Sequence, residues 1–137
     1  VLNRHCSVFV APIVRVLRPD GLFITQQVGA RNFQNICSLL GCGPGGEYEW
    51  DPSQNVAALA EAFRQHKCTV MGQAEYDVRY VFLDVESLVF NLKAVPIPED
   101  FDIEKHWQQV NQIITDYRTP RGIETNEHRE LLIVRKR

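Results

Sequence analysis

Apolar positions along this chain change their period several times, and each change marks an element. Leu22-Phe23-Ile24 run on into Thr25 and stop at Gln26-Gln27. A short unbroken apolar run bounded by turn residues predicts a strand covered on both faces, as in a parallel sheet. Before it stands Arg18-Pro19-Asp20-Gly21, where a proline that cannot continue a helix meets Asp-Gly turn chemistry. Pro12 to Leu17 reads as a helix with proline in its first turn, where the missing N–H is harmless. The junction is helix, tight turn, strand: half of an α/β crossover.

Helical spacing recurs four more times. Phe33, Ile36, Leu39 and Leu40 predict a helix from Phe33 to Leu40, with Asn32 as N-cap and Gly41 as a left-handed C-cap. Val56, Leu59, Ala60 and Phe63 predict a second, opened by Asp51 and Pro52 or Ser53 and ending near His66. Leu88, Val89 and Leu92 predict a third, Val85 to Lys93, capped by Asp84 and stopped by Pro96 and Pro98. Ile103, Trp107, Val110, Ile114 and Tyr117 form the one-sided stripe of the longest, Ile103 to Tyr117, closed by Thr119-Pro120-Arg121-Gly122. Val1-Leu2 reads as a strand stub with Asn3-Arg4-His5 as the loop after it. Cys68 to Tyr76 and Leu131 to Val134 read as further strands, and Asp77 to Phe82 stays unassigned. No internal repeat or low-complexity stretch divides the 137 residues, so one domain is expected.

Composition narrows the function classes. At 45% apolar and 23% charged residues the chain can bury a core. A net charge of -2 lacks the basic footprint of a nucleic-acid or anionic-membrane partner, apart from the short Arg135-Lys136-Arg137 terminus, which reads as a solvated tail. No apolar stretch has the length of a membrane span, and the start lacks the layout of a secretory signal. Cys6, Cys37, Cys42 and Cys68 show neither C-x-x-C spacing nor the density of a disulfide scaffold, so reduced thiols and a cytoplasmic location are expected, with no metal site.

Gly41-Cys42-Gly43-Pro44-Gly45-Gly46 spells G-x-G-x-x-G. That string serves phosphate only between a strand and a helix; here a helix precedes it and Glu47-Tyr48-Glu49-Trp50 follows, so it reads as a helix stop and loop. Glu47, Glu49 and Asp51 read as a solvated acidic loop, His66, His106 and His128 as surface residues, and Trp107 as core or an interface anchor.

Arg15-Val16-Leu17-Arg18-Pro19-Asp20-Gly21-Leu22-Phe23-Ile24 resembles the helix-to-fifth-strand passage of class I S-adenosylmethionine-dependent methyltransferases. Asn3-Arg4-His5 resembles the end of the fourth strand in one branch of that family, and Gln26-Gln27-Val28-Gly29 the fifth-strand terminus. Phe82 to Val89, Ala94-Val95-Pro96 with Phe101-Asp102, and His128-Arg129 also match its C-terminal half in order. The resemblance implies an α/β fold: the C-terminal half of a Rossmann-like methyltransferase, strands four to seven in a mixed sheet with an antiparallel last strand between strands five and six, and helices on both faces. It also implies that the glycine-rich loop and acidic residue that hold the methyl donor lie upstream of Asn3. The chain is therefore expected to be a truncated piece that begins inside a strand.

Ligands of open α/β sheets bind beyond the carboxyl ends of the strands. By the resemblance, Asn3, Arg4 and His5 border the methionine end of S-adenosyl-L-methionine in the intact protein, Gln26 and Gln27 face a small-molecule substrate, and His5 is the candidate general base. The plainer reading stays open: Arg4 and His5 satisfy loop carbonyls, and the glutamines end a strand. The fragment itself is expected to bind no cofactor and transfer no methyl group. The rival class is a noncatalytic α/β module that self-associates through the uncovered edge of its first strand.

Overall fold

The structure, a computed structural model, describes residues 1–42, 55–95 and 97–137. Its elements in chain order are β1 (Leu2–Arg4), α1 (Val10–Val16), β2 (Leu22–Val28), α2 (Gln34–Leu39), α3 (Val56–Gln65), β3 (Cys68–Phe82), α4 (Val85–Ala94), α5 (Trp107–Tyr117), β4 (Arg118–Thr119) and β5 (Gly122–Lys136). The sheet runs β1-β2-β5-β3, and β4 pairs with β5. β1 is parallel to β2, whereas β5 returns antiparallel beside β2 and lies between it and β3. This is the mixed sheet with a returning last strand that the resemblance implies. Two compact units divide the chain: Val1–Ala30, Asp51–Tyr76 and His128–Arg137 form one, Arg31–Trp50 and Asp77–Glu127 the other.

In the first unit, β1 takes in Asn3 and Arg4, which the sequence assigns to a loop. Their backbones find partners opposite Thr25 and Gln26, so two polar residues complete a strand that their side chains do not advertise. α1 begins at Val10, two residues earlier than expected. Pro12 is its third residue, still among the first four N–H positions that have no intrahelical acceptor. The turn closes with the Gly21 N–H donating to Arg18 O at 2.9 Å, while Asp20 takes a left-handed φ of 60° that a short polar side chain tolerates. α3 is capped by Asn55, whose side chain accepts from the Ala58 N–H at 2.8 Å. Because Asn55 is extended, α3 starts at Val56, later than the expected Asp51 to Ser53, residues that themselves lie outside the described ones. Val56, Leu59, Ala60 and Phe63 of α3 and Leu17 after α1 bury against Phe23, Leu132 and Val134 of the sheet, and the Phe23 and Phe63 ring centroids lie 5.2 Å apart.

In the second unit, Phe33 rather than Asn32 is the N-cap of α2, in the left-handed region at φ 51°. Its burial gives the reason: the ring packs 5.4 Å from Phe82 and 5.7 Å from Tyr80, and its N–H donates to Asn126 O at 2.9 Å. Gly41 adopts the expected left-handed C-terminal position at φ 73°. α5 begins at Trp107, four residues after the expected Ile103, because the Asp102 carboxylate accepts the Glu104 and Lys105 N–H groups and holds a turn there. Trp107 is half exposed, so the buried stripe of α5 rests on Val110 and Ile113.

α4 carries the expected Asp84 cap as a reciprocal box: Asp84 Oδ1 accepts the Ser87 N–H at 2.7 Å, and the Asp84 N–H donates to Ser87 Oγ at 3.3 Å. The Ser87 N–H, and after it the Ser87 side chain, hold the Asp84 carboxyl below its ordinary value of 3.8. A depressed folded pKa stabilises the fold above the unfolded pKa, and that contribution fades as pH falls through the folded value. Asp84→Ala is therefore expected to lower the melting temperature by a few degrees at pH 7. Thermal scans of the two proteins should draw together only as pH falls below 3.8.

β3 and β5 are 15 residues each, far longer than the Cys68 to Tyr76 and Leu131 to Val134 segments expected. Asp77 to Phe82 simply continues β3. Along β5, Ile123 and Thr125 are buried in one stretch and His128, Glu130, Leu132 and Val134 in the other, a change of phase that blurs any single alternating pattern.

Candidate functional site

The carboxyl ends of β1 and β2 lie side by side, in the register Asn3 to Thr25 and Arg4 to Gln26, and the His5 N–H extends the ladder by donating to Gln26 O at 3.0 Å. Successive residues of a strand point to opposite faces. The five residues expected at this edge are therefore brought together in backbone and divided by face.

One face carries Asn3, Thr25 and Gln27. Thr25 Oγ1 donates to Asn3 Oδ1 at 2.9 Å. Gln27 Nε2 donates to Asn3 Oδ1 and Thr25 Oγ1, each at 2.7 Å, and to Cys6 O at 3.1 Å. Gln27 thus ties the loop after β1 to the end of β2. The other face carries Arg4 and Gln26: Arg4 Nε donates to Gln26 Oε1 at 3.1 Å, and Gln26 Nε2 to Tyr76 Oη at 2.5 Å. His5 is exposed and sits at φ 52°, a turn conformation that lifts it out of the strand plane.

β5 adds Glu130, which sequence reading passed over, and His128, which it placed at the surface. Glu130 stands opposite Gln27 and is buried; its Oε2 accepts the Val56 N–H at 2.8 Å, at the amino end of α3 where the helix dipole favours a carboxylate. His128 is 1% exposed, with Nε2 3.6 Å from Glu75 Oε2. Gly29 makes room for it: a Cβ there would lie 2.1 Å from His128 Nδ1. The expectation of a surface His128 is therefore overturned, and its signal was the alternation His128, Glu130, Leu132, Val134, with two polar members in an otherwise apolar set. His106 is buried too, stacked on Phe101 with centroids 5.4 Å apart and Nδ1 2.9 Å from Asp102 O. Only His66 stays exposed as expected, its Nδ1 2.9 Å from Ala62 O at the end of α3.

Elsewhere the chemistry is sparse. Cys6 is exposed, and burial, reinforced by Cys42 nearby, pushes the Cys37 thiol up to about 12. That value leaves Cys37 protonated and inert at neutral pH. Among the described residues no group of three His, Cys, Asp or Glu side chains stands close enough to hold a metal ion, and no helix is long and apolar enough to cross a membrane. The Gly43 to Gly46 part of the glycine-rich string, and Glu47, Glu49 and Asp51, lie outside the described residues. In the second unit an open depression of about 390 Å³ is lined by Gln34, Asn35, Tyr117, Glu124, Thr125 and Asn126, none of which the sequence marks as a site residue.

No family model matches the sequence, and no curated protein matches it. Solved structures do. A protein of unknown function from Deinococcus radiodurans R1 is 14% identical, with a TM-score of 0.57 over 99% of this chain and 49% of that one. A candidate methyltransferase from Bacillus halodurans C-125 is 12% identical, with a TM-score of 0.55 over 98% of this chain and 62% of that one. The chain thus spans about half to three fifths of the structures it resembles. At these identities the likeness is one of fold: a mixed α/β sheet of the Rossmann-like kind.

Proposed function

We propose that this chain forms the strand-four to strand-seven portion of an S-adenosylmethionine-dependent methyltransferase that acts on a small molecule when whole, and that the portion alone transfers no methyl group. The observation that carries this reading is the strand order β1-β2-β5-β3 with β5 antiparallel to β2. Similarity in fold to the Bacillus halodurans protein supports it. Asn3, Arg4 and His5 would then border the donor's methionine end, with Gln26 and Gln27 towards the acceptor.

The side chains at these two strand ends suit a rim and not a grip. Asn3, Thr25 and Gln27 satisfy one another, and neither strand end supplies a carboxylate for ribose hydroxyls. Their contribution is a polar wall of fixed shape, which is what an in-line transfer asks of its surroundings. His5, held out of the strand, is the candidate for accepting a proton from an acceptor hydroxyl or amine.

Calorimetry tests the assignment. S-adenosyl-L-methionine titrated into this chain is expected to give no binding heat. A longer product of the same reading frame, containing a strand and glycine-rich turn upstream, is expected to bind it. Comparable binding by the 137-residue chain, or none by the longer product, refutes the proposal.

A second reading, a self-associating interaction module, is favoured by one feature: β1 ends the described sheet with Leu2 81% exposed.

A further inference from the structure

The face of the first unit's sheet opposite Phe23, Leu132 and Val134 carries an ordered apolar row. Leu2 of β1 pairs with Ile24 of β2, Ile24 pairs with Ile133 of β5, and Gly72 of β3 lies against Ile133, whose Cδ1 would be 3.6 Å from a Cβ at that glycine. Rows on either side each bear an arginine. In one, Leu22 pairs with Arg135, whose guanidinium lies 3.3 Å from Met71 Sδ. In the other, Arg4 pairs with Gln26 and Gln26 with Leu131. Leu2, Leu22 and Met71 are 81%, 45% and 47% exposed. Arg4 and Arg135 are exposed as well, and neither meets a carboxylate among the described residues.

We propose that this face docks an amphipathic α-helix of another polypeptide segment, apolar along the strip that covers Ile24 and Ile133 and bearing carboxylates that reach Arg4 and Arg135. Four adjacent strands span about 14 Å, which one helix about 10 Å across largely covers. Sheets of this α/β kind close their faces with helices, because a parallel pair such as β1 and β2 is stable when both faces are dry.

Charge selects the helix. Arg135 pairs with Leu22 and Arg4 with Gln26, four residues further along β2 and two strands away from Arg135. The two Cα positions are therefore about 16 Å apart, the rise of about 11 helical residues or three turns. A second copy of the chain would bring guanidinium to guanidinium on this face. Nucleic acid would find an aliphatic row where it needs stacking platforms.

Two fluorescein-labelled 20-residue amphipathic helical peptides test the proposal by anisotropy. They share one apolar stripe and carry Glu or Lys at two flanking positions eleven apart. The Glu peptide is expected to bind about tenfold tighter than the Lys peptide at 0.1 M salt. The double variant Arg4→Glu with Arg135→Glu is expected to reverse that preference, and both changes are at exposed positions, so an unchanged circular dichroism melt confirms folding. Ile133→Glu should abolish binding of either peptide. Equal affinities, no binding by either peptide, or no reversal in the folded double variant overturns the proposal. So does tight binding of a single-stranded oligonucleotide, or a dimer by light scattering that Ile133→Glu dissociates.

Discussion

Gly122→Ala is expected to destabilise the protein by about 4 kcal/mol, since an off-limits backbone conformation and overpacking each cost about 1 to 3 kcal/mol. Gly122 opens β5 at φ 128°, and a Cβ there would lie 2.2 Å from Phe82 O, 3.0 Å from Phe82 C and 2.9 Å from Val81 Cγ1. The two closest of these are a backbone carbonyl oxygen and a β-branched methyl, and neither can turn aside as the end of a flexible side chain would. Against a total stability of about 5 to 15 kcal/mol for a domain this is a large fraction. Two control glycines separate the causes. Gly41→Ala, at φ 73° with nothing within 4 Å of the new Cβ, should show conformational strain alone, about 1 to 2 kcal/mol. Gly72→Ala, with only ordinary contact to Ile133, should be close to neutral or weakly stabilising. Urea melts of the three variants provide the comparison, and a Gly122→Ala protein as stable as Gly41→Ala would contradict the close approach to Phe82.

Phe63→Ala is the other large effect, expected at about 3 to 5 kcal/mol. Phe63 is 0% exposed and its ring is tilted 33° against Phe23, itself 0% exposed, with Leu132 and Val134 in the same cluster. Truncation removes the ring's transfer free energy and leaves a cavity between α3 and β2 that rigid strands fill poorly. Phe63→Leu, which keeps most of the volume, should recover more than half of the loss. Chemical denaturation read by near-ultraviolet dichroism decides this. A cost below about 1 kcal/mol for Phe63→Ala would mean that α3 does not anchor the sheet.

Asp84, with Leu88 and Leu92 behind it, was legible in the sequence because a cap and a 3.6-residue period are encoded within one turn of chain. The same holds for the Pro19-Asp20-Gly21 turn into β2. Phe33 was not: its left-handed cap position costs free energy locally and stands because its ring is packed against Tyr80 and Phe82, residues remote in sequence. The candidate site divides in the same way. Asn3 and Gln27 were identified as strand-end residues, but the carbonyl and hydroxyl they share with Thr25 depend on a parallel register between segments more than twenty residues apart. Glu130 was passed over and His128 was placed at the surface, because a polar residue is buried only with partners that its own segment does not show. Its partners, the Val56 N–H and Glu75, come from other elements.

The sequence by itself determined the helices α3 and α4 and the helix-turn-strand junction from α1 to β2, which rest on spacing and turn chemistry among near neighbours. The tertiary structure alone decided that β3 and β5 extend to 15 residues, that Gln26 and Gln27 serve opposite faces, and that Arg4 and Arg135 flank one partly exposed apolar row. Strand length and facing are set by hydrogen bonds to distant strands, and neither propensity nor period carries that information.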